Sequence, residues 1–142
     1  MSIQCVKVEH LRQAHGDMDF KRWVTNPDNI YVGGKGRVYI HHYPRDGEER
    51  QPISSFVFPA SKWANPFTEE YAPVDVIILY RRHILSSQLR NELHELEGKT
   101  LGCFCPPDAE VCHARALLYL VQNREARVEI SQDFQAPERS FL

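Results

Sequence analysis

Chemically reactive side chains are concentrated in one short stretch of this 142-residue chain. Residues 101–118, LGCFCPPDAEVCHARALL, contain three of the four cysteines and one of the seven histidines. Cys103 and Cys105 are separated by one residue, and Cys112 directly precedes His113. Three thiolates and one imidazole form a permitted tetrahedral zinc set. These four residues are therefore candidate metal ligands, with zinc as the candidate cofactor.

The spacing leaves two other interpretations open. Most structural zinc sites draw ligands from CxxC-type pairs, whereas CxC and Cys-His place the ligands closer together. Cys112 could instead be a reactive thiol, because a helix N-terminus stabilises a thiolate and His113 and Arg115 are close in sequence. The cysteines could also be plain core residues, since cysteine packs like a small apolar side chain. Cys5 is most simply such a core residue.

Composition and charge restrict the class of protein. The net charge is −2 and the isoelectric point is near 6.4, which does not favour nucleic acid as a partner because phosphate binding usually uses a basic excess. No apolar run approaches the roughly 18 residues of a membrane span. The N-terminal sequence lacks the regions of a signal peptide. We therefore expect a cytoplasmic or otherwise intracellular protein, where clustered cysteines favour metal binding or thiol chemistry over disulfides.

Hydrophobic patterning predicts the elements that must position the cysteines. The predicted strands are residues 3–11, 30–34, 36–43, 53–58 and 99–105, with an edge strand at 126–131. The predicted helices are residues 18–25 with Asp17 as the cap, 74–85, 88–96 with Ser86 or Ser87 as the cap, and 112–123. Residues 59–67, PASKWANPF, are expected to be irregular because of their two prolines and one asparagine.

Strands that alternate with helices predict an α/β fold. We expect a single small domain over residues 1–125, with a partly parallel, Rossmann-like sheet flanked by helices. Residues 126–142 are expected to form the edge strand and a C-terminal tail. The irregular loop carries Trp63 and Phe67, so it should pack on the domain or on a ligand.

The chain resembles an uncharacterised family, domain of unknown function 4326. The matching pieces run from about residue 30 to residue 120 and read IYVGG, GRVYI, PASKWANPF, LYRRHIL and ELEGKTLGCFCPPDAEVCHARAL. The resemblance implies a small α/β domain and supplies no activity. Where the family has arginine after Val32-Gly33, this chain has Gly34, with Arg37 three residues later. The family's Cys-His is usually followed by glycine, which is Ala114 here.

The leading functional hypothesis is a nucleotide- or nucleobase-type small-molecule site. In open α/β sheets, ligands bind beyond the carboxyl ends of the strands, where the glycine turn, the irregular loop and the cysteine segment should meet. A helix N-terminus binds anions, and an aromatic ring can stack on a base. The candidate ligand-binding residues are Gly33, Gly34, Arg37, Ser61, Lys62, Trp63, Asn65 and Arg115. No residue is assigned a catalytic role.

The alternative is a non-enzymatic interaction module or assembly subunit with a protein partner. In that case the Cys/His cluster is a structural zinc clamp or plain core. The loop would then be structural, with Trp63 and Phe67 filling core and Asn65 capping backbone groups. His41 and His42 are not expected to share an ion, because adjacent strand residues point to opposite faces.

Overall fold

The structure is a computed structural model that describes residues 1–40, 46–49, 52–67, 73–105 and 112–124. The edge strand predicted at 126–131, the C-terminal tail and the His41-His42 pair lie outside the described residues. The proposed extent of the domain, residues 1–125, stays a prediction.

Helices and strands are interspersed along the described part of the chain. The strands are β1 Ser2–Cys5, β2 Asn29–Tyr31, β3 Gly36–Ile40, β4 Ser54–Phe58 and β5 Thr100–Cys103. The helices are α1 Val8–His15, α2 Phe20–Thr25, α3 Pro73–Ser86 and α4 His113–Gln122, with a 3-10 helix over Gln88–Leu96 between α3 and β5.

The central sheet has three parallel strands in the order β1-β5-β2. The middle strand β5 is short and apolar, and Leu101 and Cys103 on it are buried. Such a strand has its backbone groups paired on both sides, as buried parallel strands require. The predicted small α/β domain with a partly parallel sheet is therefore confirmed, and the arrangement is compatible with a Rossmann-like fold.

Two cores cover the two faces of this sheet. Alternate strand residues point to opposite faces, and Leu101 and Val32 belong to a core with residues of α3, the 3-10 helix and α4. On the other face, Trp23 packs over Gly102, where any side chain on Gly102 would collide with the indole ring. The sheet is thus sandwiched, and its carboxyl edge lies between two helical layers.

A separate antiparallel hairpin, β3-β4, packs against the second core. Its inward side chains include Phe58, whose ring lies 4.7 Å from that of Phe20. Gly36 lies directly against the Phe58 ring. Its outward side carries large exposed apolar residues, namely Tyr39, Val57 and, just before β4, Ile53.

The first predicted strand was too long. The strand ends at Cys5, and Val8 begins α1, which buries Leu11 and exposes Val8. The sequence VKVEHL fits an alternating strand, but it also fits the start of a helix that buries only Leu11. Six residues are too few to distinguish the strand period of two residues from the helix period of 3.6. Gly16, with φ of +75°, follows the helix in the left-handed region that glycine tolerates.

Two helix predictions need adjustment. The cap of α2 is Asp19 rather than Asp17, because the Asp19 carboxylate accepts a hydrogen bond of 2.8 Å from the Arg22 backbone N–H. Residues 88–96 form a 3-10 helix, whose three-residue turn aligns the buried Leu93 and Leu96. No helix in the described part of the chain is long and apolar enough to cross a membrane.

Candidate metal centre

Three cysteines meet where β5 ends and α4 begins. Cys103 is the last residue of β5, Cys105 follows it by two positions, and Cys112 immediately precedes α4. The Sγ atoms of Cys103 and Cys112 are 3.5 Å apart. All three Sγ atoms lie within 4.8 Å of one another. The structure therefore brings together three of the four predicted metal ligands.

The dimensions of this cluster suit a metal ion. Zinc–sulfur bonds of about 2.3 Å in a tetrahedron place sulfur atoms roughly 3.8 Å apart. The observed separations need only small side-chain adjustments to reach that value. Cys103 and Cys112 are buried and Cys105 is half-buried, and none of the three forms a disulfide. Three cysteines this close together can hold a metal ion.

Backbone hydrogen bonds fix both segments that carry the cysteines. The Cys103 carbonyl accepts from the Val6 N–H at 2.8 Å, and the Gly102 carbonyl accepts from the Val32 N–H at 2.9 Å. These bonds pin the end of β5 to both neighbouring strands. The Cys112 carbonyl accepts from the Arg115 N–H at 3.0 Å and so starts the first turn of α4. Cys103 and Cys112 are thus held at the ends of regular elements, whereas Cys105 lies two residues beyond β5.

The environment shifts the thiol pKa values of the clustered cysteines in different directions. Hydrogen bonds from Cys103, then from Cys105, lower the pKa of Cys112, and the backbone N–H groups of Ala114 and Arg115 lower it further. Hydrogen bonds to Cys105 and Cys112, followed by burial, raise the pKa of Cys103. These directions favour the thiolate form at Cys112 over Cys103. The thiolate is the form of cysteine that binds metal.

Cys105 has a mixed environment. Its hydrogen bond with Cys103 lowers its pKa, while the hydrogen bond with Cys112, burial and the charges of Cys112 and Cys5 raise it, and the net direction is upward.

Two tyrosines border the cysteines. Tyr80 is buried, and its hydroxyl donates a 2.6 Å hydrogen bond to the Trp63 carbonyl. Burial, and then the charge of Cys112, raises the pKa of Tyr80. Burial, and then the charges of Cys103 and Cys105, raises the pKa of Tyr31 to about 12. Both phenols stay neutral beside the thiols.

His113 contacts the neighbouring strand rather than the thiol group. Its Nε2 donates to the Val32 carbonyl oxygen at 2.6 Å, which places the ring proton on Nε2. Its ring also packs edge-on against Tyr80, with centroids 5.2 Å apart. Among the described residues the close group contains only the three cysteines. A ligand role for His113 stays a prediction.

The irregular loop at residues 59–67 packs on the domain and is stabilised by its own hydrogen bonds. Trp63 is only 2% exposed and belongs to the core. The Ser61 hydroxyl accepts from the Trp63 N–H at 3.0 Å, and the Asn65 side chain accepts from the Phe67 N–H at 3.0 Å. These contacts match the structural alternative for this loop. The indole face on which a base was expected to stack is covered by protein.

The remaining predicted ligand residues are distributed over several elements. The Ser61 N–H donates to the Gly33 carbonyl at 3.0 Å, which joins the loop to the end of β2. Lys62 forms ion pairs with Glu92, at 3.1 Å, and with Glu95. Those hydrogen bonds, first to Glu95, raise the pKa of Lys62.

The other three predicted ligand residues lie on β3, after β2 and on α4. Arg37 lies on β3 and donates to the Ser55 hydroxyl across the hairpin at 3.0 Å. Gly34 follows β2, and its carbonyl accepts from the Tyr31 hydroxyl at 2.7 Å. Arg115 is exposed in the first turn of α4. Sequence reasoning missed the two tyrosines, because both lie far along the chain from the cysteine motif.

The fold and the cluster define a small α/β domain whose cysteines can hold a metal ion. The chain belongs to the family described as Domain of unknown function (DUF4326), which matches residues 18–123. The resemblance seen in the sequence is thereby confirmed.

One curated relative is similar to part of this chain. It is "Uncharacterized protein R718" of Acanthamoeba polyphaga mimivirus, which is 43% identical over 49 residues. That match spans 33% of this chain and 38% of the relative, so it covers less than half of either protein. No solved structure matches this chain.

Proposed function

We propose that this protein is a zinc-binding α/β domain in which Cys103, Cys105 and Cys112 hold the ion. The observation that supports it is the convergence of three sulfur atoms within 4.8 Å of one another at the end of β5 and the start of α4. Thiolate ligands select soft or borderline metals, and zinc accepts a tetrahedral sulfur-rich site without redox chemistry.

The zinc ion would act as a clamp. It would join the carboxyl end of β5 to the N-terminus of α4, two points separated by nine positions in the sequence. A structural zinc ion contributes its binding free energy to folding. This proposal accords with the interaction-module alternative, because a structural ion requires no substrate. A protein partner stays a prediction.

The test is the metal content of the protein purified without a histidine tag or chelator. Elemental mass spectrometry should find about one zinc ion per chain in the native protein and a loss of zinc in Cys103→Ser. The matched control is Ala116→Ser, which also places a hydroxyl at a buried position but removes no thiol. Absence of zinc from the native protein, or full zinc content in Cys103→Ser, would contradict the proposal.

A nucleotide- or nucleobase-type site is the second candidate function. One observation favours it: the bond from Ser61 to Gly33 holds the loop at the end of β2, on the sheet edge where α/β domains bind ligands. Trp63 cannot stack on a base in this arrangement, and Lys62 already faces two carboxylates. Any such ligand would therefore use backbone groups and the start of α4.

Thermal unfolding in the presence of adenosine, AMP and ATP tests this second candidate. A nucleotide that binds only the folded state raises the unfolding temperature, and the rise grows with the logarithm of its concentration once that exceeds Kd. The expected result for a true site is a rise that grows with ligand concentration. An unchanged unfolding temperature with all three compounds at millimolar concentration would reject the candidate.

A further inference from the structure

Cys5 ends the strand next to the cysteine cluster. It is the last residue of β1 and pairs in register with Cys103 on β5. Residues paired across parallel strands point their side chains to the same face of the sheet. Neighbouring strands lie about 4.8 Å apart, so the side chains of Cys5 and Cys103 start side by side.

The next residue confirms the direction in which Cys5 points. Val6 packs in the core with Trp23, on the face of the sheet covered by α1 and α2. Cys5 precedes it by one position and so faces the opposite side, toward α4. The bond from the Val6 N–H to the Cys103 carbonyl, at 2.8 Å, holds this register. Cys5 is 6% exposed, so its thiol faces the interior.

We propose that Cys5 is the fourth zinc ligand and completes a four-cysteine site with Cys103, Cys105 and Cys112. This inference rests on the proposed zinc function and specifies its coordination. Sites with four protein ligands are closed and structural, whereas catalytic zinc keeps one position for water or substrate. The clamp would then hold three segments together: β1, the end of β5 and the start of α4.

The geometry requires one local change. The Cys5 Sγ lies outside the group of three sulfur atoms that are mutually within 4.8 Å. A change of χ1 rotamer displaces a cysteine sulfur without moving the backbone. The competing ligand, His113, gives its Nε2 proton to the Val32 carbonyl, so it could bind zinc only through Nδ1, and it too lies outside the group within 4.8 Å. Cys5 has its sulfur on the face of the sheet that carries Cys103.

Cys5 lies outside the family match, which begins at residue 18. A zinc ion bound by Cys5 would therefore fasten β1 to the part of the domain that the family shares.

X-ray absorption at the zinc edge counts the sulfur ligands directly in the zinc-loaded full chain. We expect four sulfur atoms at about 2.3 Å in the native protein. The test variant is Cys5→Val, which keeps a buried, strand-favouring side chain of similar size. It should show three sulfur atoms and one nitrogen or oxygen atom at about 2.0 to 2.1 Å. His113→Gln is the matched control and should keep all four sulfur atoms.

The outcomes separate this inference from the proposed function. A native spectrum with three sulfur atoms and one lighter ligand overturns the role of Cys5 while the zinc proposal stands. An unchanged spectrum in Cys5→Val has the same meaning. A native protein that binds no zinc overturns both. Because the decisive spectrum is that of the native chain, the test does not depend on the variant folding.

Discussion

The Sγ atoms of Cys103 and Cys112 lie 3.5 Å apart, although nine positions separate the two residues in the sequence. The distance is longer than a disulfide bond of about 2.05 Å and close to the sulfur–sulfur edge of a zinc tetrahedron. Both residues are anchored by backbone hydrogen bonds at the ends of regular elements. The pair is therefore preorganised for an ion that bridges β5 and α4.

Removal of zinc should destabilise the protein. A strong chelator, added with a reductant, should lower the unfolding temperature of the native protein, because the binding free energy of structural zinc is part of the folding free energy. Circular dichroism at increasing temperature measures the change. Cys103→Ser should not respond to the chelator, whereas Ala116→Ser should respond as the native protein does. A native unfolding temperature that the chelator leaves unchanged would show that no structural ion is present.

The cysteine cluster was partly predictable because its two segments have local signals. The apolar run at 100–103 is a buried strand, and the stripe that includes Leu117 and Val121 marks the helix after Cys112. Elements with strong patterns of their own can be located from one sequence. Their ends then place the cysteines near one another at the carboxyl edge of the sheet.

The pairing of Cys5 with Cys103 could not be predicted in this way. It depends on which strands are neighbours, and the order β1-β5-β2 joins elements from opposite ends of the described chain. The burial of Trp63 is another such case. Its loop has no periodicity, and the direction of the indole is set by contacts with residues of α3, such as Tyr80. Long-range contacts of both kinds leave no local pattern in the sequence.

Tyr80→Phe should destabilise the domain through one lost hydrogen bond. The Tyr80 hydroxyl donates to the Trp63 carbonyl in the core, and phenylalanine would leave that carbonyl without this donor. An unsatisfied buried polar group costs about 1–3 kcal/mol. Urea unfolding should show a loss of free energy of unfolding in this range. Tyr119→Phe is the control, because Tyr119 is 43% exposed and should lose little. Equal losses in the two variants would contradict a specific role for the buried hydroxyl.

Gly102→Ala should be more damaging than its size suggests. Gly102 lies on β5, the middle strand of the sheet. A methyl group at this position would collide with the Trp23 ring and with the Val6 side chain. Overpacking of a tight core typically costs about 1–3 kcal/mol, and β5 cannot shift because it is bonded on both sides. Urea unfolding measures the loss. Gly34→Ala is the matched control, since a methyl group at Gly34 meets no atom within 4 Å. The packing argument fails if both alanine variants unfold at the same urea concentration.

Lys62→Met tests whether the charge of Lys62 is used within the protein. Lys62 pairs with Glu92 at 3.1 Å and with Glu95, and its side chain is 44% exposed. Exposed ion pairs contribute about 0–1 kcal/mol and weaken as salt screens them. The variant should therefore lose a small amount of unfolding free energy at low salt and almost none in 1 M salt. Urea unfolding at the two salt concentrations measures this. Glu95→Gln should show the same salt dependence, because it removes the other half of the pair. A loss that persists unchanged in high salt would indicate that Lys62 stabilises the domain through its contact with the Trp63 ring, over which its Nζ lies 5.4 Å from the centroid, rather than through its ion pairs.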